Sequence, residues 1–100
     1  MAMLANGNLH IELFEVPAGK PPSEDRSSPD ADLHSFGNKH MSFAVSDVDS
    51  FAGEMKRRGA DIVWVKHFPN GNANIFIRDP FANLIEFVEK PKPAPQDSFL

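Results

Sequence analysis

The sequence contains no cysteine and no tyrosine among its 100 residues. Without cysteine, disulfides, thiolate metal sites and thiol nucleophiles are excluded, which fits a reducing compartment. The lack of tyrosine removes one common acid/base group, while nine phenylalanines supply apolar walls. Any chemistry must therefore come from histidine, carboxylates, lysine, hydroxyls or a bound metal.

The sequence also lacks long apolar runs and basic blocks. Ten basic against fourteen acidic side chains give a formal charge of −4, so we expect no nucleic-acid partner. No apolar run approaches the roughly 20 residues of a membrane span, and Met1–Asn8 lacks the features of a signal peptide. We therefore expect a soluble, cytoplasmic protein with no membrane partner. A chain of this length buries only about two-thirds of its surface, which favours association with a partner.

A polar segment separates two regions of predicted regular structure. Asn8–Val16 alternates, with Leu9, Ile11 and Leu13 on one face, as a half-buried strand does. The segment Pro17–Ser35 is rich in Pro, Ser, Asp and Glu, and it is predicted to be a loop or linker without regular structure. Loops this long usually mark a functional loop or a connection between units.

The residues after this linker predict a strand, a helix and three further strands. Asp47 or Asp49 can cap the helix and Gly59 can end it. An Asn-Gly turn signal and a tight turn separate the last three strands. The predicted elements are His40–Ser46, a helix with Val48, Phe51, Ala52 and Met55 at helical spacing, the hairpin Ile62–Val65 with Ala73–Arg78, and the strand Leu84–Glu89.

Two motifs resemble those of a known family. GNKHMSFAV at 37–45, followed by the predicted helix, resembles the opening of a βαβββ module of the vicinal oxygen chelate superfamily, which includes glyoxalases, bleomycin-resistance proteins and extradiol dioxygenases. DPFANLIEF at 79–87 is similar to the closing turn and strand of such a module, although Ala82 stands where the family usually has glycine. LHIELFEVP at 9–17 resembles the last strand of a preceding module.

The resemblance implies an α+β fold with a curved mixed sheet, and we expect this sheet to be paired in a dimer. We expect residues 1–17 to be the N-terminal strand of a truncated first module and 18–36 a flexible linker. Residues 37–90 are then the βαβββ glyoxalase-like module, and 91–100 a proline-rich tail. A homodimer would cover the inner face of the single sheet, with the N-terminal strand pairing in its own chain or exchanged between subunits.

The resemblance further implies that His40 and Glu86 are metal ligands, since each module provides one ligand from its first strand and one from its last. Glu12 matches the last-strand ligand of the truncated module. One imidazole and two carboxylates suit a divalent Mn, Fe, Co, Ni or Zn ion with open positions for substrate oxygens. Alternation independently places Glu86 between Leu84 and Val88, where a carboxylate needs a partner. Taken singly, Glu12, His40 and Glu86 could each also be solvated strand residues. His34 and His67 are predicted to be solvated, and Trp64 is predicted to be a core residue.

Three functions remain open at this point. The first is a metal-dependent lyase or isomerase for a small oxygen-rich carbonyl substrate, with Glu12 or Glu86 as the base. The second is a metal-free protein that binds a drug or small metabolite, as bleomycin-resistance relatives do. The third is a folded product without a reaction. An extradiol dioxygenase is less favoured, because that variant usually has two histidines and a tyrosine near the substrate.

Overall fold

The described part of the chain folds into two sheets and two helices. The computed structural model describes residues 1–21 and 25–89. In chain order the elements are β1 (Ala2–Asn6), β2 (Leu9–Leu13), α1 (Pro29–Asp32), β3 (Met41–Val45), α2 (Val48–Arg57), β4 (Asp61–His67), β5 (Ala73–Arg78) and β6 (Leu84–Glu89). The larger sheet has the order β3-β6-β5-β4, with β3 parallel to β6 and the other neighbours antiparallel. The predicted α+β class and the βαβββ order are therefore confirmed.

Helix α2 covers one face of this sheet and forms the core with it. The Asp47 side chain caps the helix by accepting a hydrogen bond from the Ser50 backbone N–H at 2.9 Å. Val48 on the helix and Ile75 on β5 are both fully buried. Phe51, Ala52 and Met55 pack against the same cluster, as their helical spacing predicts.

The β5–β6 connection is held by Asp79. Its Oδ1 accepts hydrogen bonds from the backbone N–H groups of Phe81 and Asn83 at 2.9 and 2.8 Å. The turn places Ala82 at a φ of +66°, in the left-handed region that favours glycine. The departure from the family pattern at this position therefore has a conformational cost.

The N-terminal region differs from the single strand predicted for Asn8–Val16. Only Leu9–Leu13 is a strand, and it pairs with β1, which the sequence reasoning missed. The turn between them is closed by Gly7 at a φ of +61°, the first central position of the two-residue loop. The overlooked signal was Asn6-Gly7 between two apolar runs. This two-stranded sheet is called the hairpin below.

The second half of the predicted linker is ordered rather than structureless. Ser28 caps the short helix α1, and Asp32 is buried to 1% exposure. Its Oδ1 accepts a hydrogen bond from Arg26 Nε at 2.5 Å, which lowers the pKa of Asp32 below its usual range. Lys39 Nζ lies 3.6 Å from the same oxygen. Composition alone predicted a flexible linker because the segment has few apolar residues. These ionic contacts hold it in place of an apolar core.

Some predicted segments lie outside the residues that the structure describes. The predicted tail 91–100 and residues 22–24 of the linker fall outside the described residues. Within the described ranges, neither helix is long and apolar enough to cross a membrane.

Candidate functional site

The face of the four-stranded sheet opposite α2, here called the open face, collects the polar and aromatic residues of interest. The register pairs Glu86 with Ser42 on one side and with Phe76 on the other, and Phe76 with Trp64. Because cross-strand partners point to the same side, these four residues form one row across the sheet. His40 directly precedes β3 and reaches the same row, since its ring contacts Phe76 edge-on with centroids 4.7 Å apart.

His40 and Glu86, the two residues implied by the family motifs, meet on the open face. The distance from His40 Nε2 to Glu86 Oε1 is 3.6 Å. The two side chains are 26% and 18% exposed, respectively. Both groups are therefore partly shielded from water yet still within reach of a small molecule.

The second carboxylate oxygen of Glu86 has a different partner. Asn74 Nδ2 donates a hydrogen bond to Glu86 Oε2 at 2.9 Å. Asn74 Oδ1 in turn accepts one from Trp64 Nε1 at 3.2 Å. Sequence reasoning missed Asn74 and assigned Trp64 to the core. The available signal was a lone amide inside the otherwise apolar run Ala73–Ile77, on the same alternating face as Phe76.

Glu12 is not brought to this pair within one chain. It lies on β2, in the hairpin, where its cross-strand partner is Met3. Among residues 1–21 and 25–89, no group of three His, Asp or Glu side chains is close enough to hold a metal ion. One chain thus unites two of the three predicted ligands.

The observed pair fits part of a divalent-metal site. Two protein ligands about 2.1 Å from one ion, at angles near 90–110°, lie roughly 3.0–3.4 Å apart. The 3.6 Å separation of His40 Nε2 and Glu86 Oε1 is within a small side-chain adjustment of that range. One imidazole nitrogen and one carboxylate oxygen also suit borderline ions. Two donors alone are too few for a dedicated site, so further donors must come from elsewhere.

The Lys66 ammonium group lies on the same face, next to Trp64. Lys66 Nζ lies 3.6 Å from the centroid of the Trp64 ring. Trp64 contacts Phe76 edge-on at 5.3 Å, so the lysine, the two aromatic rings and His40 form a continuous chain of contacts. In the described part of the chain, no carboxylate forms a salt bridge with Lys66.

The remaining histidines and cavities lie apart from the pair. His67 interacts with Asp49 at 2.9 Å, and its side chain is 58% exposed. One cavity of about 170 Å³ lies between the 25–27 segment and the 81–84 turn, and another of about 500 Å³ lies beside Gly59 and Asp79. Neither is lined by His40 or Glu86. The candidate site is accordingly an open sheet surface rather than an enclosed cleft.

Comparison with known proteins identifies related folds. The family model described as Glyoxalase/Bleomycin resistance protein/Dioxygenase superfamily matches residues 1–87. No curated protein matches the sequence. SMU.1112c is 24% identical, with a TM-score of 0.62, over 87% of this chain and 67% of that one. A glyoxalase family protein from Bacillus anthracis is 22% identical, with a TM-score of 0.57, over 89% of this chain and 61% of that one.

The virulence protein STM3117 from Salmonella typhimurium is 25% identical, with a TM-score of 0.51. The match covers 87% of this chain and 68% of that one. The chain thus spans about two-thirds of the length of these structures. The family match includes the hairpin and the four-stranded sheet up to residue 87 of β6.

Proposed function

Because this chain belongs to the Glyoxalase/Bleomycin resistance protein/Dioxygenase superfamily, we propose that it is a divalent-metal-dependent lyase or isomerase acting on a small, oxygen-rich carbonyl compound. The observation that carries this proposal is the approach of His40 Nε2 to within 3.6 Å of Glu86 Oε1 on the open face. His40 and Glu86 hold the ion, which is Mn, Fe, Co, Ni or Zn. A bound ion of this kind polarises a carbonyl and makes the neighbouring C–H more acidic.

The chain's carboxylates supply the base. Glu12 or Glu86 accepts the proton from a hydroxyl-bearing carbon beside the carbonyl and returns it to the carbonyl carbon, while the hydroxyl proton passes to the former carbonyl oxygen, so the isomerisation needs no redox partner. Lys66 favours an anionic or oxygen-rich substrate, because its ammonium group lies over Trp64 beside the same row of residues. The half-buried Trp64 ring provides the apolar surface against which the carbon skeleton packs, and the buried Phe76 ring contacts it edge-on.

The third ligand, Glu12, comes in this proposal from a second copy of the chain. The hairpin presents Leu4, Leu9 and Leu13 with exposures of 53%, 44% and 50%. An isolated two-stranded hairpin is marginally stable at best in water, so these residues require a covering partner. A homodimer that exchanges hairpins buries them and brings Glu12 of one subunit towards His40 and Glu86 of the other.

Metal analysis of protein purified without chelators tests the proposal. We expect stoichiometric metal in the wild type, and a loss of affinity in His40→Ala and Glu86→Ala greater than the roughly 10–100-fold that losing an outer-shell partner costs. His67→Ala is the matched control, since His67 is exposed and paired with Asp49 away from the pair. Stoichiometric metal in the His40→Ala/Glu86→Ala double variant would overturn the metal site.

Proton exchange then tests the reaction class. In deuterated water, the metal-loaded protein should exchange the α-protons of pyruvate or of a short acyl thioester faster than His40→Ala does. Absence of exchange with every 2-oxo acid and thioester tried would contradict the lyase or isomerase assignment while leaving metal binding intact.

A metal-free small-molecule binder is the second candidate, and one observation favours it. Asn74 donates a hydrogen bond to one oxygen of Glu86 and His40 lies 3.6 Å from the other, so the carboxylate has protein neighbours without any ion. In that case the half-buried Trp64 should report binding of a flat aromatic ligand through its fluorescence, with the same affinity before and after treatment with a chelator.

A further inference from the structure

We infer that Asn74 and Trp64 are positioning residues that fix the rotation of the Glu86 carboxylate and so direct one of its oxygens at His40. The role of this arrangement in metal binding rests on the proposed function, whereas the hydrogen bonds themselves do not. It comes from two hydrogen bonds that run diagonally across three strands, from Trp64 on β4 through Asn74 on β5 to Glu86 on β6.

The orientation of the Asn74 amide follows from the chemistry of its neighbours. The Trp64 indole N–H can only donate a hydrogen bond, and an ionised Glu86 carboxylate can only accept one. Asn74 must therefore turn Oδ1 towards Trp64 and Nδ2 towards Glu86. An aspartate at this position could not donate to Glu86, and a leucine could neither donate nor accept. A short primary amide satisfies both neighbours at once.

The sheet register explains why these three residues meet. Asn74 pairs with Lys66 on one side and with Val88 on the other. It lies two residues before Phe76 on β5, in the row next to the one that contains Trp64, Phe76 and Glu86. Diagonal neighbours on one face lie about 7–8 Å apart between their backbones, within reach of long side chains. The amide consequently bridges Trp64 and Glu86 while Phe76 lies alongside.

The consequence concerns the carboxylate oxygen that is left. With Oε2 held by Asn74 at 2.9 Å, Oε1 faces His40 Nε2 at 3.6 Å. Glu86 is then presented as a one-oxygen ligand or base rather than a freely rotating carboxylate. Outer-shell partners of this kind orient ligands, and their loss typically costs 10–100-fold in metal affinity.

Metal affinity, measured by calorimetric titration of chelator-treated protein with Mn²⁺ or Zn²⁺, tests what the arrangement does. We expect Asn74→Leu to weaken binding by about 10–100-fold. Trp64→Phe should weaken it by less, since Asn74 keeps its donor but loses its fixed orientation. In the Asn74→Leu background, Trp64→Phe should add almost nothing, because both changes act on one connected set of groups. Asn72→Leu is the matched control, since it removes an exposed amide from the nearby β4–β5 connection.

Additive losses in the double variant, or unchanged affinity in Asn74→Leu, would overturn the positioning role. A general packing defect predicts additive losses, so the cycle separates the two explanations.

A second measurement does not depend on any metal. In the metal-free protein, the Trp64 indole N–H signal should be protected from hydrogen exchange, and Asn74→Leu should remove that protection whereas Asn72→Leu should not. An indole proton that exchanges freely in the wild type would overturn the inference itself. A protected proton in a wild-type protein that binds no metal would instead overturn the proposed function and retain the hydrogen-bonded arrangement.

Discussion

The four-stranded sheet and strand β2 of the hairpin share the same alternating pattern of apolar residues, but only the sheet has a helix that covers its apolar face. On the sheet, Ile75 is fully buried beneath Val48 of α2. On the hairpin, Leu9 and Leu13 remain 44% and 50% exposed. Alternation therefore specifies which side of a strand is apolar, whereas burial depends on a second layer. The hairpin is the region in which a partner has the most to contribute.

The largest expected effect separates the two regions by stability. Ile75→Ala should lower the free energy of unfolding by about 2–5 kcal/mol, because it opens a cavity in a closed core. Ile11→Ala, the matched substitution on β2, should change it by less than about 0.5 kcal/mol in dilute monomer. Urea unfolding followed by Trp64 fluorescence measures both. Equal losses at the two positions would show that the hairpin packs as closely as the sheet.

Subunit mixing tests whether the hairpin acts in the other chain. If hairpins are exchanged, a heterodimer of Glu12→Ala and His40→Ala subunits contains one site with both native residues. Random mixing should then restore about a quarter of the metal sites, from near zero in either variant alone. Metal content before and after mixing gives the answer.

Two outcomes would contradict this arrangement. No recovery on mixing would exclude exchange, and a monomer at high micromolar concentration in sedimentation analysis would exclude the dimer as well. Recovery in a mixture of two separately prepared Glu12→Ala samples, the control, would show that mixing itself introduces metal.

Sequence patterns predicted the sheet better than the connections around the site. Helix α2 and strands β3 and β6 followed from periodicity, and strands β4 and β5 followed from β-branched and aromatic runs on either side of an Asn-Gly turn. Strand β1 was missed, since Met3 and Leu4 are flanked by alanines and give no clear alternation. The ordered α1 segment was missed because the ion pair between Arg26 and Asp32 joins residues whose contact depends on the folded backbone.

The candidate site divides in the same way. Motif resemblance implied His40 and Glu86, and the register of β3 with β6 brings them together. Asn74 could not be assigned a role from sequence, because its partners lie on two other strands and depend on the register of both. Whether Glu12 joins the pair depends on assembly, which strand patterns do not encode.

The smallest expected effect compares the turn of the hairpin with the turn before β6. Gly7 and Ala82 have nearly the same backbone angle, with φ of +61° and +66°, but only the hairpin turn has glycine there. A left-handed conformation costs a non-glycine residue about 1–2 kcal/mol, and glycine gives back about 0.4–1 kcal/mol through its freer unfolded chain. The strain term is larger, so Ala82→Gly should stabilise the protein by roughly 0.5 kcal/mol, a rise of a few degrees in Tm. Thermal unfolding measures the shift, with Ala60→Gly as a control that adds a glycine outside the left-handed region. A fall in Tm for Ala82→Gly would show that the alanine methyl group contributes packing that outweighs its backbone strain.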